Sequence, residues 1–149
     1  MCGIAGIWSN KMSSDAIYFG LHSMINAIRH RGPDDGDVWF DKNTRLGFAH
    51  RRLAVIDLSK AGHQPMRSSC QRFTIVFNGE IYNHIQIRSK LFDVDKNINW
   101  KGSSDTETLL ESIRLIGLEE TLVLASGMFA LALYDCQSES LSLARDRFG

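Results

Sequence analysis

Met128-Phe129-Ala130-Leu131-Ala132-Leu133-Tyr134-Asp135-Cys136-Gln137-Ser138-Glu139-Ser140-Leu141-Ser142-Leu143-Ala144 joins two kinds of apolar run through a polar turn. Residues 128–134 are apolar throughout, as a strand covered on both faces requires. Leu141-Ser142-Leu143-Ala144 alternates, as a strand with one wet face does. With Asp135-Cys136-Gln137-Ser138 as the turn, the segment reads as a β-hairpin, so its sheet is antiparallel. Antiparallel hairpins, with strands clustered between helices, indicate an α+β layered fold in preference to α/β winding.

Upstream, Ser104-Asp105-Thr106-Glu107 has the Ser-x-x-Glu form of a capping box. Leu109, Leu110, Ile113 and Ile116 follow at helical spacing, and Gly117 stops the helix. A short helix is expected over 119–124. Nearer the start, Ser13-Ser14-Asp15 opens a helix whose buried stripe is Ile17, Leu21, Met24, Ile25 and Ile28, with Gly32-Pro33 as its stop. Short β-branched or aromatic runs predict strands over 37–40, 46–50, 53–56 and 73–77, and a further helix is expected over 81–92. Residues 93–99 are polar and read as the loosest loop. There are no internal repeats, low-complexity tracts or linkers.

The 149 residues are 44% hydrophobic and 23% charged, which suits one globular domain with one core. Lys plus Arg and Asp plus Glu both number 17, so no basic footprint for nucleic acid is implied. Cys2, Cys70 and Cys136 are widely spaced without a Cys-x-x-Cys pair, signalling neither a disulfide framework nor zinc. The five histidines, His22, His30, His50, His63 and His84, lack ligand spacing, and no metal is expected. The start of the chain carries no signal peptide or myristoylation pattern, and no apolar run reaches the roughly 20 residues of a membrane span. A reducing, cytoplasmic location is expected.

Cys2 opens an apolar strand, Cys2-Gly3-Ile4-Ala5-Gly6-Ile7-Trp8. If Met1 is removed, one residue carries a thiol of reference pKa about 8.5 and an α-amine of about 7.7–8.0. A nucleophile and a base of nearly matched strength are then adjacent. Taken alone, a lone cysteine is more often inert.

Other segments are ambiguous in isolation. Asn78-Gly79 could offer a side-chain amide and a backbone N–H to an oxyanion, although Asn-Gly is also the strongest short hairpin-turn signal. Arg51-Arg52 sits between two strand-like runs, where one guanidinium could fork onto a carboxylate. Asp105, in the first helical turn, complements the helix dipole without any ligand. Arg29-His30-Arg31 suits the last turn of the first helix for the same reason. Trp8, Trp39 and Trp100 lie in separate segments and read as packing residues, while Cys70 and Cys136 fall in a polar loop and a turn.

In order along the chain, several segments resemble the glutaminase domain of glutamine-hydrolysing asparagine synthetases. They are Cys2-Gly3-Ile4-Ala5-Gly6, Arg29-His30-Arg31-Gly32-Pro33-Asp34, Ala49-His50-Arg51-Arg52-Leu53, Gly62-His63-Gln64-Pro65-Met66, Asn78-Gly79-Glu80-Ile81-Tyr82-Asn83-His84, Gly102-Ser103-Ser104-Asp105-Thr106-Glu107, Gly127-Met128-Phe129-Ala130 and Arg145-Asp146-Arg147-Phe148-Gly149. These are class II glutamine amidotransferases, N-terminal-nucleophile (Ntn) hydrolases built as a four-layer αββα sandwich of two antiparallel sheets.

The resemblance implies that residues 1–149 are one amidotransferase domain and that Cys2 attacks the glutamine carboxamide, giving a thioester and ammonia. It implies that the Asn78 amide and Gly79 N–H hold the oxyanion, a single well-placed donor contributing about 3–4 kcal/mol. Arg52 would pair with the substrate α-carboxylate and Glu80 and Asp105 with its α-ammonium, while Leu53 and Val55 also belong to the glutamine site. Arg51 falls at a variable family position.

Family members continue past Arg145-Asp146-Arg147-Phe148-Gly149 with more strands and then an ATP-binding synthetase domain. The chain is therefore expected to lack the last strands of the sandwich and to leave a sheet edge open near residues 128–144. No Ser-Gly-Gly-x-Asp-type pyrophosphate loop occurs, so no cofactor is expected in this domain, ATP and magnesium belonging to the synthetase domain. The expected partners are L-glutamine and a synthetase domain on the parent chain or a second chain, with neither nucleic acid nor membrane, and an oligomer is left open. Two alternatives stand beside the glutaminase reading: an inactive fragment or interaction piece, and an amidotransferase for another acceptor such as a polysaccharide sugar.

Overall fold

Period-two alternation along the strands sorts the apolar residues into separate cores, and these set the layering. The computed structural model describes residues 2–148. Met1, and with it the question of its removal, lies outside them, as does Gly149. The described elements are β1 (Gly3–Trp8), α1 (Ser14–Ala27), β2 (Asp35–Asp41), β3 (Leu46–Arg52), β4 (Met66–Arg67), β5 (Phe73–Ile81), α2 (His84–Val94), α3 (Asp105–Ile116), α4 (Leu118–Leu124), β6 (Gly127–Asp135) and β7 (Ser140–Arg145). They form two antiparallel sheets, ordered β1-β3-β2 and β4-β5-β6-β7.

Ile17, Leu21 and Ile25 of α1 pack on Ala49, Ala5, Ile7 and Val38, covering the outer face of the first sheet. Leu46 and Phe48 of β3 point the other way and meet Val76, Ala132 and Tyr134 between the sheets. Phe73, Ile75, Phe77 and Ile81 alternate with Val76 along β5 and pack outward against Ile87 and Leu91 of α2 and Leu109, Leu110 and Ile113 of α3. The layers run helix, sheet, sheet, helices, which is the αββα sandwich. The β6–β7 hairpin forms as expected, pairing Asp135 with Ser140 through Ala130 with Arg145.

Local signals set the helix starts. Ser13 Oγ accepts the Ala16 N–H at 3.2 Å, and Ser104 Oγ accepts the Glu107 N–H at 3.2 Å. Gly117 ends α3 with φ of 88°, a left-handed conformation that suits glycine. The second half of the capping box does not form. Glu107 turns its carboxylate to the N–H groups of Lys101 and Gly102, at 2.7 and 3.0 Å, and clamps the preceding loop.

Five local expectations change in the tertiary context. Asn78-Gly79 is not a turn: β5 pairs with β6 without interruption from Phe73↔Asp135 to Ile81↔Gly127. Gly79 permits this close approach, since a β-carbon there would lie 2.5 Å from Phe129 Cα. Residues 53–56 are not a strand. Both neighbours of β3 end with it, at Gly3↔Arg51 and Asp35↔Arg52, so the chain beyond has no ladder to join, and Arg52 lies inside a strand.

The helix expected over 81–92 begins at His84, because Ile81 still belongs to β5. Asn83 uses its amide to bond Leu124 O and the Ser126 N–H, both at 2.9 Å, and does not cap the helix with its side chain. Residues 93 and 94 stay helical. Arg29–Arg31 form a separate 3-10 turn after α1, from which Arg31 Nε reaches the Cys2 carbonyl at 3.4 Å.

Candidate active site

In β5 the odd-numbered residues aim their backbone groups at the β4 edge, and the even-numbered ones face β6. Strand β4 is two residues long and pairs only with Ile75 and Thr74. Past it, buried side chains replace the missing strand. The Phe77 N–H donates to Gln64 Oε1 at 2.7 Å, and the Phe77 carbonyl accepts from His50 Nε2 at 3.1 Å. The Ile81 N–H donates to Asp105 Oδ2 at 2.9 Å. Gly79 lies between them, and its N–H has no acceptor among the described residues.

A cleft of about 120 Å³ opens at this edge, lined by Cys2, Arg52, Leu53, Val55, Gly79, Glu80 and Asp105. These residues come from the position just before β1, from β3 and its following loop, from β5 and from α3, so the tertiary fold unites candidates spread over 104 positions of sequence. Asn78 is the exception. It does not line the cleft; it shares the inward face of β5 with Val76, and its buried Oδ1 has no partner.

Backbone groups hold Cys2, Arg52 and Asp105. The Cys2 sulfur lies 3.4 Å from the Leu53 N–H and 3.7 Å from the Leu53 carbonyl. Arg52 is buried and donates to the carbonyls of Ser59, at 2.8 Å, and Asp57. No carboxylate among the described residues forms a close ion pair with it, and Asp35 acts on it only at longer range, so the guanidinium can take an anionic ligand in the cleft. Asp105 is buried at the N-terminus of α3, and burial raises its pKa despite the N–H groups of Ile81 and Thr106 bonded to it. Arg51 is turned away and caps the end of α1 at Ile25 O, 3.1 Å.

Residues to which the sequence assigned no role hold the site loops. Asp57 accepts the Ser59 N–H and the Ser103 N–H, both at 2.8 Å, and the bonds from Ser59, then Ser103, hold its pKa down to about 2. One carboxylate thus ties the Arg52 loop to the N-terminus of α3. Arg88 of α2 donates to Thr108 Oγ1 (2.6 Å), Gly102 O (2.9 Å), Ser104 O (3.1 Å) and Glu107 Oε2 (3.2 Å), with Trp100 stacked 4.0 Å from its guanidinium.

His63 is gripped by Asp35 at 2.7 Å and Asp37 at 3.2 Å. Burial lowers its pKa, but the two carboxylates outweigh that and leave it raised. The Asp-x-Ser spacing at 57–59 was a legible turn signal, while Arg88, His50 and Gln64 carry no local signal of this work. Among the described residues no group of three or more His, Cys, Asp or Glu side chains could hold a metal ion. Among the described residues no helix is long and apolar enough to cross a membrane.

The family model for a glutamine amidotransferase domain matches residues 1–149. Asparagine synthetase (glutamine-hydrolyzing) 2 of Bacillus subtilis is 35% identical over all of this chain and 19% of its own length. Asparagine synthetase B (glutamine-hydrolyzing) of Escherichia coli is 33% identical over all of this chain and 26% of its own. The chain therefore spans about a fifth to a quarter of these relatives. The solved structure of glutamine phosphoribosylpyrophosphate amidotransferase from B. subtilis superposes on 98% of this chain and 37% of its own, with a TM-score of 0.72 and 20% identity. That likeness is one of fold.

Proposed function

The chain belongs to the glutamine amidotransferase domain family, and on that premise we propose that it hydrolyses glutamine to glutamate and ammonia through a thioester at Cys2. The observation that carries the proposal is the meeting of Cys2, Arg52, Gly79 and Asp105 in one cleft. A zwitterionic amino-acid head needs one cation and one or two anions, and Arg52, Asp105 and Glu80 supply them. The amide end needs neutral donors, and the Gly79 N–H has no competing acceptor.

In the proposed reaction the Cys2 sulfur attacks the substrate Cδ. The Gly79 N–H, and the Asn78 amide once turned to the cleft, donate to the oxyanion. The C–N bond breaks as the leaving nitrogen takes a proton relayed by the Cys2 α-amine, which requires a chain without Met1. Water then attacks the thioester, releasing glutamate and restoring the thiol. Arg52 holds the α-carboxylate, Asp105 and Glu80 the α-ammonium, and Leu53 and Val55 wall the site. The ammonia would pass to a synthetase portion, on the same polypeptide or another. The names of the relatives and the small share of their length that this chain matches support that partner, and any ATP and magnesium would be bound there.

The test is intact mass and glutamate release from glutamine, before and after treatment with 6-diazo-5-oxo-norleucine, for the native chain and Cys2→Ala. Release that stops with a single adduct at Cys2, and is absent in Cys2→Ala, supports the proposal. A chain lacking Met1 that neither releases glutamate nor takes up the reagent refutes it.

A further inference from the structure

We infer that Gln64 and His50 are positioning residues for the oxyanion donor, acting through the two backbone groups of Phe77. The inference rests on the glutaminase reading for its kinetic consequence and on geometry alone for its structural one.

Strand β5 loses its backbone neighbour after Ile75, where β4 ends. A free strand edge has no ladder to fix the rotation of its peptides. Gly79, four residues further along, is the least restrained residue for such a rotation. Gln64 and His50 supply that restraint by taking both groups of Phe77 on the free edge. The next outward N–H along the strand is that of Gly79.

The two tethers start from different places. Gln64 is buried, and its other end donates to Thr106 Oγ1 of α3 at 3.3 Å, next to Asp105. His50 is fully buried on β3, opposite Ile4 of β1, the strand that Cys2 precedes. The Gly79 N–H is therefore referenced at once to the helix that carries Asp105 and to the sheet that carries Cys2. Because the Phe77 carbonyl can only accept, His50 Nε2 must hold the proton. A protonated ring would need a second acceptor, and its Nδ1 is buried with none.

A misplacement of about 1 Å at a reacting centre costs on the order of a hundredfold in rate. Gln64→Met, which removes both bonds at similar volume, is therefore expected to lower kcat for glutamate release by about tenfold to a hundredfold. KM for glutamine should stay within about twofold, because Arg52 and Asp105 are untouched. Alkylation of Cys2 by iodoacetamide, which forms no oxyanion, should proceed at the native rate. Gln64→Glu keeps an acceptor for the Phe77 N–H and should recover most of the loss, while His50→Leu, lacking the donor, should behave like Gln64→Met.

The NMR order parameter of the Gly79 N–H vector provides a readout independent of turnover, and it should fall from about 0.85 in the native chain to below about 0.6 in Gln64→Met and His50→Leu. A lowered order parameter at Gly79 with reduced kcat and unchanged KM supports the inference. Native kcat or a native Gly79 order parameter in both variants overturns it, as does a raised KM together with an altered alkylation rate, which would mark a general structural role. If the native chain releases no glutamate, the glutaminase reading fails by itself, and the order parameter of Gly79 still decides whether the tethers hold that peptide.

Discussion

Gly62 presses directly on the Arg52 guanidinium: a β-carbon on Gly62 would lie 2.8 Å from Arg52 Cζ and closer still to Nη2. The obstruction is the tip of a flexible side chain, so the backbone can stay and the guanidinium must move. Gly62→Ala should fold with stability within about 1 kcal/mol of the native chain. Its KM for glutamine should rise by about tenfold to a hundredfold, the worth of a charge-assisted contact of roughly 1.5–3 kcal/mol. Steady-state kinetics beside a denaturation curve checks both, and an unchanged KM would remove Arg52 from the substrate site.

Burial raises the pKa of Asp105, so it takes up a proton at higher pH than an ordinary carboxylate. Its contribution to holding an ammonium should be full above that raised value and fade as pH falls through it. KM for glutamine is expected to climb on mild acidification, while circular dichroism still reports a folded chain. Asp105→Asn should show a high KM with the acid-dependent rise much reduced. A native KM that is flat with pH would contradict this role.

Two histidines should bend the stability curve in opposite directions. Burial pulls the pKa of His50 down to about 4 from 6.5, so between those values the unfolded chain binds more protons than the folded one. Stability therefore rises with pH across that window, by on the order of 3 kcal/mol. His63, held by Asp35 and Asp37, is raised, so its contribution is full below pH 6.5 and is lost as pH rises through the folded value. Urea midpoints from pH 4 to 8 should show the acid slope in the native chain and a flatter one in His50→Gln. The alkaline decline should disappear in His63→Gln.

Packing and positioning should separate on the outer face of the β4-β5-β6-β7 sheet. Leu110→Ala empties a buried core site and should cost about 2–5 kcal/mol with KM for glutamine little changed. Arg88→Lys cannot reproduce the guanidinium fork on Gly102, Ser104, Thr108 and Glu107. It should raise KM severalfold, since those contacts set where Asp105 stands. Equal KM values for the two variants would mean that Arg88 only packs.

Much of the architecture follows from local pattern. Ser13 and Ser104 cap their helices, Gly117 stops α3, and the β6–β7 hairpin lies where apolar run, turn and alternating run place it. These are short-range effects, decided by a side chain reaching the next turn or by the period of burial. Errors arose where the deciding partner is distant. Asn78-Gly79 resembles a turn until β6 pairs along it, and residues 53–56 resemble a strand until both neighbours end. Glu107, half of a capping box by pattern, is a local exception, claimed by the N–H groups of the preceding loop at Lys101 and Gly102.

The sequence by itself determined the family, the layered α+β class and the residue types able to handle an amide and a zwitterionic head. Motif order along the chain carries that information without any contact being known. Only the tertiary structure decided that Cys2, Arg52, Gly79 and Asp105 share a cleft while Asn78 faces the layer between the sheets. It also decided that His50, Asp57, Gln64 and Arg88 hold the cleft in place. Their work consists of hydrogen bonds to backbone groups as far as 46 residues away, as from Asp57 to Ser103. A backbone N–H or carbonyl has the same chemistry at every residue, so no side-chain pattern in the sequence marks which of them will need a partner.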